Sequence, residues 1–580
     1  MARRVPSTLD HLTPDLERFK DLPLPLQVDF ILRRPPKERV RLVFLSEQPK
    51  ALVQSLPELD LFLTVKALED RDAVDLVSLT TADQLQYLLD LDLWKKDQLD
   101  PEKISHWISL LLECGEERLL QFIRETDQDL MAQMLKKLLL VIKMEGDPTE
   151  RMDRSTLFTL DQEYWVAFKK PETRPVLQRF LEYLYFADPV GYPRLLESLI
   201  LEIESELEEV AYRLRKGRMA DHGFPDFEEA LEIYRFVNPD SLKPNRSETS
   251  ATLPMEEGVP SPGWAPAFGE EGPFFSSVFS QVEDPSEQAQ LGKQLTALYN
   301  RAIIAEPIDE FTLDEMKRVG KRVFHTLNLG LEYAGQKDGP RGLEILRSVP
   351  TQRIFQAGVG VTILLRRKAE GILKGPWFQG DRENLVFLDP PHREWFEGLL
   401  RKRPVLYRAG IEEDFKTLRD FEETGRFLDG VDAWISFLRE RLKVLPHQIK
   451  SLDLGSSHPG TWREITLSTL FLTSLAQQML EGEFLFRAVD HSRLKEFISR
   501  VFERDERGKG FVRTEIKDGL RKWLESTESD REKLSHLIAL RDFCCGLLEE
   551  EYGKIPEGEE IDPRFVRGLL VRREESSRRG

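Results

Sequence analysis

Cysteine is scarce in this chain. Among 580 residues there are three, Cys114 and the adjacent Cys544 and Cys545. Neighbours in sequence do not close an ordinary bridge, so no disulfide framework is expected and a reducing compartment suits the chain. Long apolar runs are missing too. The most apolar windows, Leu138 to Val141 and Ala357 to Leu365, fall far short of the roughly 18 residues that cross a bilayer. Arg3-Arg4 opens like a twin-arginine signal, but Pro6, Asp10, His11, Pro14 and Asp15 stand where an apolar core of about seven or more residues belongs. A cytoplasmic protein with no membrane contact is expected. Basic charge is in deficit: 83 Lys and Arg against 102 Asp and Glu leave a net charge of -19, which repels phosphate backbones and argues against a nucleic-acid partner.

Catalytic punctuation is absent as well. No Gly-x-x-x-x-Gly-Lys-Ser/Thr phosphate loop, Gly-x-Ser-x-Gly nucleophile turn, His-Glu-x-x-His zinc helix or Cys-x-x-Cys pair occurs. Gly358 and Gly360 lack both a preceding strand and a third glycine, so they make no dinucleotide fingerprint. No cofactor and no metal is expected, and the balance leans away from an enzyme.

What is present is a short helical pattern, repeated from Lys37 to Ile142. With 40% hydrophobic and 32% charged residues the chain reads as a globular protein of about two to four domains. In its clearest stretch Asp100 caps a helix, Pro101 takes the first helical position, and Ile104, Trp107, Ile108, Leu111 and Leu112 fall on one face. A second helix with Leu119, Leu120 and Ile123 follows Gly115. A third, opened by Asp127, carries Leu130, Met134, Leu135, Leu138 and Ile142 as far as Gly146. Upstream, Pro49, Pro57 and Thr80 or Thr81 open similar units. Helices of roughly a dozen residues do not persist alone, so each stripe must be covered by its neighbours, which is the logic of a solenoid.

Those starts, as in Ser55-Leu56-Pro57-Glu58-Leu59 and Leu99-Asp100-Pro101-Glu102, resemble the right-handed superhelical cytosolic domain of bacterial magnesium-channel proteins and the related motor-switch helices. The resemblance covers about a fifth of the chain and implies a superhelix, not ion transport. The chain as a whole resembles an uncharacterised family of long bacterial cytosolic all-helical proteins, above all at Tyr212-Arg213-Leu214-Arg215-Lys216-Gly217-Arg218 with Asp221-His222-Gly223-Phe224-Pro225-Asp226. That likeness implies no activity.

The same segment holds the candidate chemistry. After Asp188-Pro189 a long helix is expected to carry Leu196, Leu199, Ile203, Leu207, Val210 and Leu214, with Glu202, Glu206 and Glu209 opposite. Paired carboxylates resemble di-iron helices, but no Glu-x-x-His occurs to complete such a site. In the turn that follows, His222 sits between Asp221 and Asp226, an arrangement open to acid-base work or to a hydrogen-bonded corner capping a helix near Phe227. Arg218, and further along Arg401 and Arg403, are candidate ligand-binding cations. At Tyr164 to Phe168 aromatic and β-branched density is open to a strand or small ribbon, and a loop packed on helices is the favoured reading.

From Pro239 to Pro273 proline, glycine, serine and glutamate dominate, yet Trp264, Phe268, Phe274, Phe275 and Phe279 lie in or beside this tract, as in a strap. Near the end, Asp505 to Ile516 outlines a calcium loop with Arg507, Lys509 and Ile516 where oxygen ligands belong, so a glycine turn between helices is expected. The expected fold is all-α and multi-domain, a helical-repeat, superhelical or solenoid-like architecture with a Pro/Gly-rich central excursion. It comprises an arm at 1–36, short-helix repeats at 37–146, a helical domain with a long amphipathic helix at 147–240, a linker or strap at 241–288 and a helical domain at 289–580. The expected function is a non-enzymatic scaffold or regulatory protein that binds another protein. The alternative is an enzyme or small-ligand sensor sited at Arg218, Asp221, His222 and Asp226, completed by Arg401 and Arg403. The oligomeric state is left open.

Overall fold

In a computed structural model of the chain, residues 19–32, 34–95, 97–143, 157–242, 271–306, 308, 311–506, 508–555, 561–562 and 566–572 are described. The twin-arginine pair, Gly146, the strap aromatics Trp264 and Phe268, Arg507 of the calcium-like loop and the terminal Arg573, Arg578 and Arg579 lie outside them. The protein is mostly helical, with small sheets of two or three strands. It divides into two compact units, Met1–Ala357 and Gly358–Gly580.

Unit 1 begins with helices α1 (Leu24–Leu32), α2 (Pro36–Val43), α3 (Pro49–Gln54), α4 (Glu58–Lys66), α5 (Asp70–Val77) and α6 (Ala82–Asp92). A small ribbon, β1 (Trp94–Lys95) and β2 (Gln98–Leu99), leads to α7 (Pro101–Glu113), α8 (Glu116–Glu125) and α9 (Gln128–Leu138). The start signals act as their chemistry requires. Asp100 accepts from the Glu102 amide at 2.8 Å, Asp127 accepts from the Asp129 amide at 2.9 Å, and Thr81 exchanges bonds with Gln84 in a capping box. The stripes are buried against helices one and two places along: α4 lies on α6, α5 on α7, α7 on α9.

Helix α9 stops earlier than its spacing implies. Leu139–Lys143 is a strand, β3, paired antiparallel with β4 (Tyr164–Phe168), so the expected loop there is an edge of this ribbon. Val141, Ile142 and Val166 are β-branched and Tyr164, Trp165 and Phe168 aromatic, and cross-strand pairing satisfies both segments. The long amphipathic helix is also two helices. After α10 (Arg174–Ala187), α11 (Gly191–Leu201) ends and α12 (Glu204–Asp221) begins, with Glu202 and Ile203 extended between them. Adjacent lysines of α9 seat the break: Lys136 donates to the Leu199 carbonyl at 3.0 Å and to that of Glu202, and Lys137 bridges Glu204 and Glu208 at 2.9 and 3.2 Å. The last carbonyls of α11 and the acidic first turn of α12 are thus satisfied from outside, which periodicity alone does not reveal.

Unit 1 closes with α13 (Phe227–Leu231), α14 (Pro273–Phe279), α15 (Pro285–Ala305), α16 (Leu313–Gly335) and α17 (Gly339–Ser348). Phe275 and Val278 of α14 are buried, and α14 packs on α16 and α17. Close approach is permitted by Gly342, where a Cβ would lie 3.1 Å from both Phe274 and Val278. Helix α18 (Thr351–Lys374) runs through the boundary between the units.

Unit 2 holds α19 (His392–Leu399), the hairpin β5 (Leu406–Arg408) and β6 (Ile411–Glu413), α20 (Leu418–Leu442), α21 (Pro446–Lys450), β7 (Ser457–His458) and α22 (Leu467–Glu481). Then follow β8 (Val489–Asp490), α23 (His491–Val501), β9 (Phe502–Arg504), β10 (Gly510–Val512), α24 (Thr514–Thr527), α25 (Arg531–Tyr552) and β11 (Val571–Arg572). Helix α20 lies against α22 and α25; Leu428, Val431, Leu438, Leu470, Leu540 and Cys544 are buried in this unit. In the calcium-like stretch the glycine turn joins strands β9 and β10 and not two helices, with Gly508 at φ 79° and the Lys509 amide on the Asp505 carboxylate at 2.8 Å. Arg572 belongs to β11, which pairs with both β7 and β8.

Candidate functional site

The turn after α12 is built from its neighbours. Two carboxylates of α6, Asp90 and Asp92, stand among Leu88, Leu89, Leu91 and Leu93, and both are buried. A buried charge must be paired, and Asp90 is. Arg218 binds it through both carboxylate oxygens, at 2.6 and 2.8 Å, and Gln86 adds a third bond at 3.1 Å. One turn earlier Arg215 donates to the Asp90 carbonyl at 2.7 Å and lies 5.2 Å from the centre of the Trp94 ring. Burial pulls the Arg218 guanidinium down in basicity, and the Asp90 carboxylate more than offsets it, so its pKa is raised; Arg215, more deeply buried, is lowered. Asp92 receives Trp107 Nε1 at 2.9 Å and faces Lys66 and Lys103 at 3.0 and 3.6 Å.

His222 and Asp226 have local partners. The His222 ring stands edge-on to Tyr87, centroids 4.6 Å apart, and its carbonyl accepts from Asn300 at 3.3 Å. Asp226 is the residue before α13, as the corner reading has it, but its side chain makes no cap bond and pairs instead with Lys216 at 2.9 Å. Asp221 is exposed at the end of α12. Tyr87 is wholly buried, and burial, with Glu58 and Asp60 adding to it, raises its hydroxyl well above the usual phenol range. Arg218, His222, Asp226 and Lys216 therefore gather at one corner, held by Asp90 and Tyr87. The signal for Asp90 in the sequence is a carboxylate inside a leucine stripe.

In unit 2, Arg401, ahead of β5, forms a bidentate pair with Glu412 of β6, and Arg403, half-buried, also has a partner. A cleft of about 580 Å³ opens between α18 and α20, floored by Leu364, Leu365 and Phe421 and edged by Lys368, Arg426 and Asp429. Lys368 and Asp429 span it at 2.7 Å. Deeper in the unit the Asp389 carboxylate accepts from the Ser468 amide at 3.0 Å and from the Ser468 hydroxyl. Burial raises the Asp389 carboxyl against those bonds. His392 lies among Phe427, Trp434 and Phe543, which lowers its imidazole. Among the described residues no three His, Cys, Asp or Glu side chains cluster to hold a metal ion, and no helix is long and apolar enough to cross a membrane.

No curated protein and no solved structure matches this chain. Residues 16–572 match a family described as a family of unknown function, DUF6178, and with nearly its whole length inside that match the chain belongs to this family.

Proposed function

We propose that this chain is a non-enzymatic helical-repeat scaffold or regulatory protein of the cytoplasm that acts by binding another protein. One contrast within unit 1 carries the reading. Arg218, His222, Lys216 and Asp226 at the corner are engaged in holding helices together, whereas Phe186, Val190, Leu201 and Ile203 stand 59 to 76% exposed and Phe227 58% exposed. Large apolar side chains left in water so close in sequence favour a surface that a partner covers. The stacking of α4 on α6, α5 on α7, α7 on α9, α8 on α10 and α9 on α11 supports a superhelical repeat, like that of the cytosolic domain of magnesium-channel proteins. Three free cysteines fit the reducing interior.

The test compares the tagged chain with a Phe186→Asp, Leu201→Asp variant, both captured from host lysate after circular dichroism has shown equal helicity. The wild type is expected to retain a protein in stoichiometric amount that the variant loses. Equal retention by both, with a metabolite turned over by the purified chain and not by His222→Ala, overturns the reading in favour of an enzyme at the corner.

A further inference from the structure

The outward side of α12 is composed of two complementary halves. Leu207, Ala211, Arg215 and Met219 are its buried positions. Opposite them run Glu206, Glu209, Arg213, Lys216 and Ala220, and beside that crest Val210 and Gly217 stand seven residues apart, with Ile203, the extended residue just before the helix, at its start. Acids fill the first half of the crest and bases the second. Such an order suits the helix dipole, yet the dipole does not explain the rest. Glu206, Glu209 and Arg213 have no side-chain partner among the described residues, although Glu209 and Arg213 stand one turn apart. The apolar seam is graded in size as well. Ile203 is 59% exposed at one end, while at the other a Cβ on Gly217 would meet nothing within 4 Å and Ala220 is exposed. Glycine inside a helix is destabilising relative to alanine, and no contact among the described residues requires this one.

We infer that this side of α12 pairs with the same side of a second copy of the chain, the two helices antiparallel about a two-fold axis beside Val210 and Tyr212. The inference goes beyond the protein-binding reading above and stands on α12 alone. Antiparallel pairing sets Glu206 and Glu209 of one copy against Arg213 and Lys216 of the other, and Ile203 of one copy on the flat made by Gly217 and Ala220 of the other. Parallel pairing sets acid on acid and base on base, so charge selects the two-fold arrangement. Lys216, held by Asp226 at 2.9 Å with both side chains about half exposed, has reach to spare for a second carboxylate. The 18 residues of α12 span about 27 Å, and the flanking Leu201, Tyr212 and Leu214 must also be covered to approach the roughly 1,000 Å² of a specific association.

Sedimentation equilibrium of the full chain at micromolar concentration tests this. The wild type is expected to be a dimer that weakens as salt is added. Arg213→Glu alone, or Glu209→Arg alone, is expected to raise the dissociation constant by about a hundredfold, since each replaces two attractive contacts by two repulsive ones. An equal mixture of the two variants is expected to regain dimers, because only the mixed pair restores both contacts. Gly217→Leu is expected to abolish the dimer without loss of thermal stability in the monomer. A monomeric wild type overturns the inference, as does a dimer indifferent to both Arg213→Glu and Gly217→Leu. A monomer that still captures another protein through Phe186 and Leu201 leaves the broader reading standing, whereas a dimer that follows charge as described survives the failure of that capture.

Discussion

Arg218 and Asp90 are 128 residues apart in the chain and joined by two side-chain hydrogen bonds, from Nε at 2.6 Å and from Nη2 at 2.8 Å. The carboxylate is almost wholly buried, with 2% of its side chain exposed against 28% for the guanidinium. Planar two-point contact of this kind fixes the angle between α6 and α12 as well as their distance. A residue that reads as a ligand-binding cation in the sequence is a clamp between helices in the fold.

Removing one side of that clamp is expected to be severe. Asp90→Ala leaves the guanidinium without its counter-charge and should lower the stability of unit 1 by about 3–5 kcal/mol, whereas Asp90→Leu with Arg218→Met should recover most of that loss. Hydrogen exchange of the α6 amides in rising urea measures both. A single variant as stable as wild type would show that the pair holds nothing.

His222 separates the structural corner from a chemical one. His222→Ala should cost about 1 kcal/mol through the lost contact with Tyr87, and His222→Phe should restore it. Under the scaffold reading His222→Phe also keeps the cellular phenotype. Loss of phenotype with stability intact would point to imidazole chemistry.

The thiols should be inert in the folded protein. Burial pushes Cys114 up to about 12 and Cys545 to about 11, and Cys544 well above the ordinary thiol range. At pH 8 the Cys114 thiolate fraction is then on the order of 10⁻⁴, so an aromatic disulfide reagent should label it slowly and label all three cysteines at once after denaturation. Because these pKa values are raised on folding, the stability they contribute is whole below the unfolded thiol value and falls as pH climbs beyond it. Fast labelling of Cys544 at neutral pH would contradict its packing.

Acid should loosen the place where Glu271 meets α16. Its hydrogen bond from Lys321, at 2.9 Å, and that with His325, at 2.6 Å, outweigh burial and hold the carboxyl at about 2. The depressed value stabilises the fold above the unfolded carboxyl pKa and is lost as pH falls from about 4.5 toward 2. Exchange of the α14 and α16 amides should therefore quicken over that window in wild type and not in Glu271→Gln. Equal acid response in the two proteins would remove Glu271 from the account.

Much of the helical layout was legible because its signals are local. Asp100, Asp127 and Thr81 each bond amides within three residues of themselves, and a stripe such as Ile104, Trp107, Ile108 and Leu111 needs only the helical period to be seen. Errors came where a distant group ended an element. Nothing near Glu202 in sequence announces that Lys136 will take the carbonyls of α11, and nothing near Leu139 announces Tyr164 to Phe168 as a pairing strand.

Residue order by itself determined that this chain forms many short amphipathic helices, carries few thiols and holds no membrane-length apolar run, since each of these depends on spacing and composition within a turn or two. Only the tertiary structure decided which charges are spent on the fold and which remain outside. Arg218 is claimed by Asp90 and Lys216 by Asp226, while Glu206, Glu209 and Arg213 have no side-chain partner among the described residues. That assignment depends on which helices come to lie side by side, and long-range packing, unlike a cap or a stripe, leaves no mark at the positions it brings together.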